Sequence, residues 1–242
     1  MTGALPLCRA AWLGMIDYVV AWRLQRRLAQ ARATGGTPDI LLLLEHPPVY
    51  TTGRRDAARN LQVPPALLGA PLVQSDRGGD ITFHGPGQLI AYPIIGLRQT
   101  GLGVAAYVRA LEEVIIRTLA AYGLPGRRED GLTGVWVDGA KIAAIGVRIS
   151  RPGGAHGDWV TGHGLALNVA TDLSWFQRIV PCGIPDRPVT SMAALMPDPP
   201  SLLDVADRLA HQFGRIFQRR VRFVTPAEIL GQPAQAFPPI AS

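Results

Sequence analysis

The chain has 242 residues, 48% hydrophobic and 17% charged, a balance that excludes a mainly disordered polypeptide. Two cysteines, Cys8 and Cys182, are too few for a disulfide scaffold and lack the CxxC spacing of zinc or redox sites. The formal charge of +6 is either an ordinary solvated basic surface or a sign of nucleic acid or an acidic protein partner. The arginines fall in small scattered pairs with no interleaved aromatics, so a nucleic-acid surface is not expected. The longest apolar run, residues 40–44, stops at Glu45, and the N-terminus lacks a signal-peptide pattern; the expectation is a cytoplasmic chain with no membrane contact.

In chain order, residues 17–34 read as an amphipathic helix capped by Asp17 and ended by Gly35-Gly36. Residues 40–51 read as a buried strand continuing through Glu45-His46-Pro47-Pro48 into Val49-Tyr50-Thr51. Residues 53–71, with Gly, Asp, Asn and Pro, read as a long surface loop. Alternation at Ile81 and Phe83, then at Leu89 and Ala91, predicts two strands around residues 84–88. A helix is predicted over 103–122, ended by Gly123. Residues 133–137 and 141–149 form a hairpin about Asp138-Gly139. A strand is expected at 163–169 and a short helix at 172–178. A Pro-rich break at 197–200 precedes a helix at 201–218 and a strand at 221–224. This mixture predicts an α/β (α+β) domain over residues 1–231, a mixed β-sheet with packed helices, and a frayed tail at 232–242.

Three features carry chemistry. Of 24 basic residues only Lys141 is a lysine, the rest being arginine. Arginine stays protonated, whereas a desolvated lysine can give up its proton, so Lys141 is a candidate for proton transfer. The plainer alternative is an exposed strand lysine left over from a coding bias. Cys182 lies between Pro181, which fixes the chain, and Gly183, which permits close approach. It is either a reactive thiol or a small buried hydrophobe; Cys8 has no distinctive neighbours and is read as the latter. The glycine-rich stretch Arg77-Gly78-Gly79 with His84-Gly85-Pro86-Gly87 exposes backbone N–H groups that can hold a carbonyl oxygen or an anion. It lacks P-loop and GxGxxG spacing, and no cluster has metal-ligand spacing. His84 is a proton carrier or a hydrogen-bond anchor. His163 could line the same pocket or be a satisfied core histidine; His46, His156 and His211 are read as structural or surface.

Taken together, Glu45-His46-Pro47-Pro48, the 77–88 stretch, residues 139–146 around Lys141, His163-Gly164-Leu165-Ala166-Leu167-Asn168 and Pro181-Cys182-Gly183 resemble the octanoyltransferase family of lipoate biosynthesis, in the family's order over roughly residues 40–195. The resemblance implies a fold like the catalytic domains of biotin and lipoate protein ligases. It implies octanoyl transfer from octanoyl-acyl carrier protein to a lysine on lipoyl domains of 2-oxoacid dehydrogenases and on the glycine cleavage H protein. It places the acyl acceptor on Cys182 and, on Lys141, the group that lowers its pKa. The acyl-binding segments then fall on Arg77, Gly78, Gly79, Asp80, Ile81, Thr82, Phe83 and His84, on Ala144, Ile145 and Gly146, and on His163, Gly164, Leu165 and Ala166. No cofactor and no metal are implied, because a thioester is already activated toward an amine. Oxyanion donors are expected near Gly78-Gly79 or Cys182-Gly183. Two departures from the family are Gly162, where a bulky residue is usual, and the insert at 152–161.

The nearest rival is an ATP-dependent lipoate or biotin protein ligase, in which Cys182 would be idle. A basic nucleic-acid-binding module and a papain-like thiol hydrolase are further alternatives; the second lacks its signature.

Overall fold

The computed structural model describes residues 4–54 and 58–231; the expected tail at 232–242 lies outside the described residues. The chain begins with strand β1 (Leu7–Met15), followed by α1 (Tyr18–Ala33), β2 (Asp39–Glu45) and β3 (Val49–Thr52). Then come β4 (Leu72–Gln74), β5 (Thr82–His84), β6 (Gln88–Ile94), α2 (Val104–Ala120) and β7 (Arg127–Glu129). The hairpin β8 (Leu132–Val137) and β9 (Ala140–Ser150) leads to β10 (Val160–Asn168), α3 (Met192–Leu195), α4 (Leu202–Ile216), β11 (Arg220–Phe223) and α5 (Pro226–Leu230).

Eight strands form one mixed sheet in the order β11-β1-β2-β6-β10-β9-β8-β7, parallel where β1 meets β11 and β2 and antiparallel elsewhere. A small sheet, β4-β3-β5, stands beside it. The fold class is therefore mixed α/β, with helices on both faces of the large sheet.

Strand alternation explains those two layers. Leu41 and Leu43 of β2, Leu89 and Ala91 of β6, and Leu165 and Leu167 of β10 pack with Tyr107, Leu111, Val205 and Leu209 of α2 and α4. The intervening Ile40, Leu42, Leu44, Ile90 and Ala166 pack under Leu24 and Leu28 of α1. Both faces of the central strands are buried, so these strands read as continuous apolar runs. Asp17 caps α1 through Val19 N and Val20 N, and Ser201 caps α4 through Asp204 N.

Several sequence expectations change here. The two strands expected around residues 84–88 both form but in different sheets: β5 pairs with β3 in the small sheet, and β6 joins the large one. The 53–71 loop contains two short 3-10 turns, and its Leu68 is fully buried with Tyr50, Ile81, Phe83 and Phe176. The strand expected at 163–169 begins at Val160 and so takes up the end of the 152–161 insert.

Candidate active site

Cys182 and Lys141 come from distant parts of the chain, yet Lys141 Nζ donates to Cys182 Sγ at 3.1 Å. Backbone pairing arranges this. The segment that follows Cys182 runs back beside β9, with Lys141 N donating to Pro188 O at 2.8 Å and Thr190 N donating to Lys141 O at 2.9 Å. Cys182 sits in a 3-10 turn at Pro181–Gly183 with φ 58, a left-handed conformation that costs a non-glycine residue energy and is concentrated at functional sites. The turn is anchored to the small sheet because Cys182 N donates to Ile81 O at 2.9 Å.

The Lys141 side chain needs room that only glycine at 134 provides. A Cβ at Gly134 would stand 2.7 Å from Lys141 Cε and 2.6 Å from Ala143 O, and its φ of +128 disfavours a side chain. Gly134 N in turn donates to the buried Glu112 carboxylate of α2 at 3.1 Å. The Trp136 ring lies 5.2 Å from Nζ and bounds the space the side chain occupies. Gly134→Ala is expected to move the lysine and lower kcat by about 10²-fold, since misplacing a reacting group by about 1 Å costs that much. The rate would be measured on protein that a melting curve shows to be folded. A normal rate would separate the glycine from the lysine's position.

The pair opens into a cleft of about 450 Å³. Arg77, Gly78, Gly79, Thr82 and His84 line it, as do Ala144, Ile145, Gly146, His163, Gly164, Leu165 and Ala166. Asp80, Ile81 and Phe83 do not line it. Ile81 and Phe83 belong to the buried cluster behind the small sheet, because β5 sends alternate side chains to opposite faces. Asp80 is buried and caps its own turn by accepting from Ile81 N at 2.6 Å. The Arg77 loop lies close against β9: Gly78 N donates to Val147 O at 2.8 Å, and a Cβ at Gly146 would stand 2.9 Å from Gly78 O. One end of the cleft is walled by buried Tyr18, His84, Tyr92 and His163; the other opens among the more exposed Val108, Gly131, Leu132, Thr133 and Ile184. Sequence reasoning missed Tyr18, Tyr92 and Gly134. Only Gly134 carried a signal, as an isolated glycine within a strand pattern.

His84 acts as an anchor, because both ring nitrogens are engaged. Its Nδ1 donates to Gln88 Oε1 at 2.7 Å and its Nε2 accepts from Thr51 Oγ1 at 3.2 Å, with the tautomer assigned from the partners. The chain continues from Gln88 Nε2 to Asn168 Oδ1 at 2.8 Å and from Asn168 Nδ2 to Thr190 O at 2.9 Å. It thus reaches the residue paired with Lys141. Of the expected oxyanion donors, Gly78 N, Cys182 N and Gly183 N already donate to protein carbonyls, which leaves Gly79 N as the free one among the described residues.

Three histidines, His46, His84 and His163, cluster with Tyr18 and Tyr92. Burial lowers all three: His46 to about 4, His163 to about 3, and His84 well below its ordinary value. They are therefore neutral at pH 7, and the closed end of the cleft gains no charge from them. Unfolding returns each to about 6.5, so between pH 6.5 and about 4 the unfolded chain binds protons that the folded chain refuses. Stability from this source is complete above pH 6.5 and is lost as pH falls, by up to about 1.4 kcal/mol per histidine per pH unit. Urea unfolding is expected to weaken steeply below pH 6.5; an unfolding free energy that stays level to pH 5 would contradict this. By contrast, burial pushes the Cys8 thiol up, and Cys8 is fully buried in the core.

Comparison with known proteins supplies the family. The lipoyl protein ligase A/B catalytic domain matches residues 17–214. An octanoyltransferase from Chloroflexus aggregans is 54% identical over 213 residues, covering 86% of this chain and 94% of its own. The chain belongs to the octanoyltransferase family. Among solved structures, a bipartite lipoate protein ligase from Thermoplasma acidophilum superposes with a TM-score of 0.69 at 19% identity, covering 93% of this chain and 89% of that one. A biotin protein ligase from Aquifex aeolicus gives 0.51 at 13% identity, over 88% of this chain and 69% of that one. These two show the shared fold alone. No helix among the described residues is long and apolar enough to cross a membrane.

Proposed function

We propose that this octanoyltransferase carries the octanoyl group as a thioester on Cys182, taking it from octanoyl-acyl carrier protein and passing it to a lysine of a lipoyl domain. The observation that carries this reading is the 3.1 Å contact between Lys141 Nζ and Cys182 Sγ.

In the first half-reaction Lys141 Nζ accepts the Cys182 thiol proton, and the thiolate attacks the donor's carbonyl carbon. The carbonyl oxygen takes up negative charge, and the donor proposed for it is the N–H of Gly79, which lines the same cleft. The bond from carbonyl carbon to the carrier's sulfur then breaks, and Lys141 returns the proton to that sulfur. In the second half the neutral acceptor amine attacks octanoyl-Cys182. Lys141 takes the amine proton, the bond from carbon to Cys182 sulfur breaks, and the sulfur recovers the proton from Lys141. Atoms and charge balance with no nucleotide.

The acyl chain lies toward the closed end, along the small walls of Ala144, Gly146, Gly164 and Ala166, where each buried methylene contributes about 0.8 kcal/mol. The carrier's arm and the acceptor lysine enter from the exposed end. The +6 charge favours encounter with an acidic carrier.

The test is octanoyl transfer from the loaded carrier to an apo-lipoyl domain, followed by the acceptor's mass, with and without ATP. Equal transfer in both supports the reading. Transfer only with ATP and free octanoate would support the ligase, in which Cys182 has no task.

A further inference from the structure

A second cleft, of about 540 Å³, lies on the α1 side of β9 and β10. Its walls include Trp22, Gln25, Arg26, Arg148, Ser150 and Thr161, so it is more polar than the active-site cleft. His163 alone, among the described residues, lines both this groove and the closed end of the active-site cleft. We infer that the His163 ring is the stop that sets acyl chain length, standing between the acyl-binding cleft and the arginine-lined groove behind it. This inference rests on the proposed reading that the Cys182-bound chain occupies the closed end.

The ring is held as a stop must be. His163 Nε2 donates to Asp76 Oδ1 at 2.8 Å, and Asp76 is fixed in turn by Trp22 Nε1 at 3.1 Å and by an ion pair with Arg148. Its backbone N donates to Gln25 Oε1 at 2.6 Å. Tyr18, Tyr92 and Trp22 surround the ring at centroid distances of 6.5, 6.1 and 6.0 Å. His163 also has φ 52 within a strand, a left-handed kink in β10 between Gly162 and Gly164. Its Nδ1 is buried without a partner, so side-chain hydrogen bonding holds the ring from the Asp76 edge. Burial keeps it neutral, which suits the terminus of a hydrocarbon channel.

A chain that fits the cleft meets this ring. A longer one must push it off Asp76 and into Trp22, an overpacking that discriminates by about 10- to 100-fold. Removing the ring joins the two clefts. Beyond the opening the walls are more polar, so extra methylenes are tolerated but gain little affinity. The profile of the opened enzyme should therefore level off with length rather than climb.

The experiment measures kcat/KM for acyl-pantetheine thioesters of six to fourteen carbons, with the acyl-Cys182 adduct followed by mass in parallel. The expected result is a steep fall above eight to ten carbons in the wild type. His163→Gly, which suits the left-handed backbone, should raise the dodecanoyl-to-octanoyl ratio about tenfold or more. His163→Phe, which keeps the bulk, should retain the fall. Asp76→Ala frees the ring without deleting it and should shift the ratio the same way by less, so the idea stays testable if His163→Gly does not fold. An unchanged profile in the opening variants, with adducts still forming, overturns the stop while leaving the thioester reading intact. Absence of any adduct in the wild type overturns the thioester reading and the stop with it.

Discussion

Lys141→Arg is expected to lower octanoyl transfer by about 10³-fold, within the range that a positioned acid–base group supplies. Arginine keeps the positive charge beside Cys182 but cannot give up its proton, so it cannot accept one from a thiol or an amine. The variant separates two roles for the lysine. If the ammonium served only as a counter-charge, arginine would preserve much of the rate. If it shuttles the proton, both half-reactions fail, and adduct formation and acceptor transfer fall together. Presteady-state mass measurements of each half-reaction make the comparison. A Lys141→Arg enzyme within tenfold of the wild type would remove proton transfer from the account.

Cys182→Ser is expected to abolish turnover, with a loss of about 10³-fold or more, because a serine hydroxyl is a weak nucleophile without a base matched to it. Cys8→Ser should leave catalysis alone, since Cys8 is buried in the core away from the cleft. It carries a separate stability cost, because Cys8 is fully buried in the core and a hydroxyl there is stripped of water. Comparison of the two serine variants, with melting curves for both, therefore tests chemistry at one thiol and packing at the other. An active Cys182→Ser enzyme would point to direct transfer between carrier and acceptor.

Much of the architecture was legible because its signals are local. Asp17 and Gly123 mark the start of α1 and the end of α2, and Asp138-Gly139 marks the β8–β9 turn. What stayed hidden depends on distant partners. Strand β1 carries no clean alternation because it lies between β11 and β2 with helices over both faces. The small sheet could not be read because its three strands come from segments far apart, and β5 turns away from the adjacent β6. Helix α5 lies outside the predicted elements although its signal is local: Thr225 and Glu228 form a capping box around Pro226.

The site shows the same division. Residue types singled out Cys182 and Lys141, but their contact depends on the 188–190 segment pairing alongside Lys141, which no spacing encodes. The glycine-rich stretch was recognised as cleft wall, yet strand alternation turns Phe83 and Ile81 to the opposite side. Tyr18 and Tyr92 gave no warning, since an aromatic at a helix start or in an apolar strand is ordinarily core. His163 was placed at the pocket, but its left-handed backbone and its bond to Asp76 are tertiary facts.

The most direct test of the central claim is intact-mass analysis after the enzyme is mixed with octanoyl-acyl carrier protein, without ATP, and quenched in acid. The account predicts a single octanoyl adduct that is present in the wild type and in Cys8→Ser, absent in Cys182→Ser, and discharged when an apo-lipoyl domain is added before the quench. No adduct on the wild-type enzyme while the acceptor becomes octanoylated, or an adduct that survives in Cys182→Ser, would contradict it.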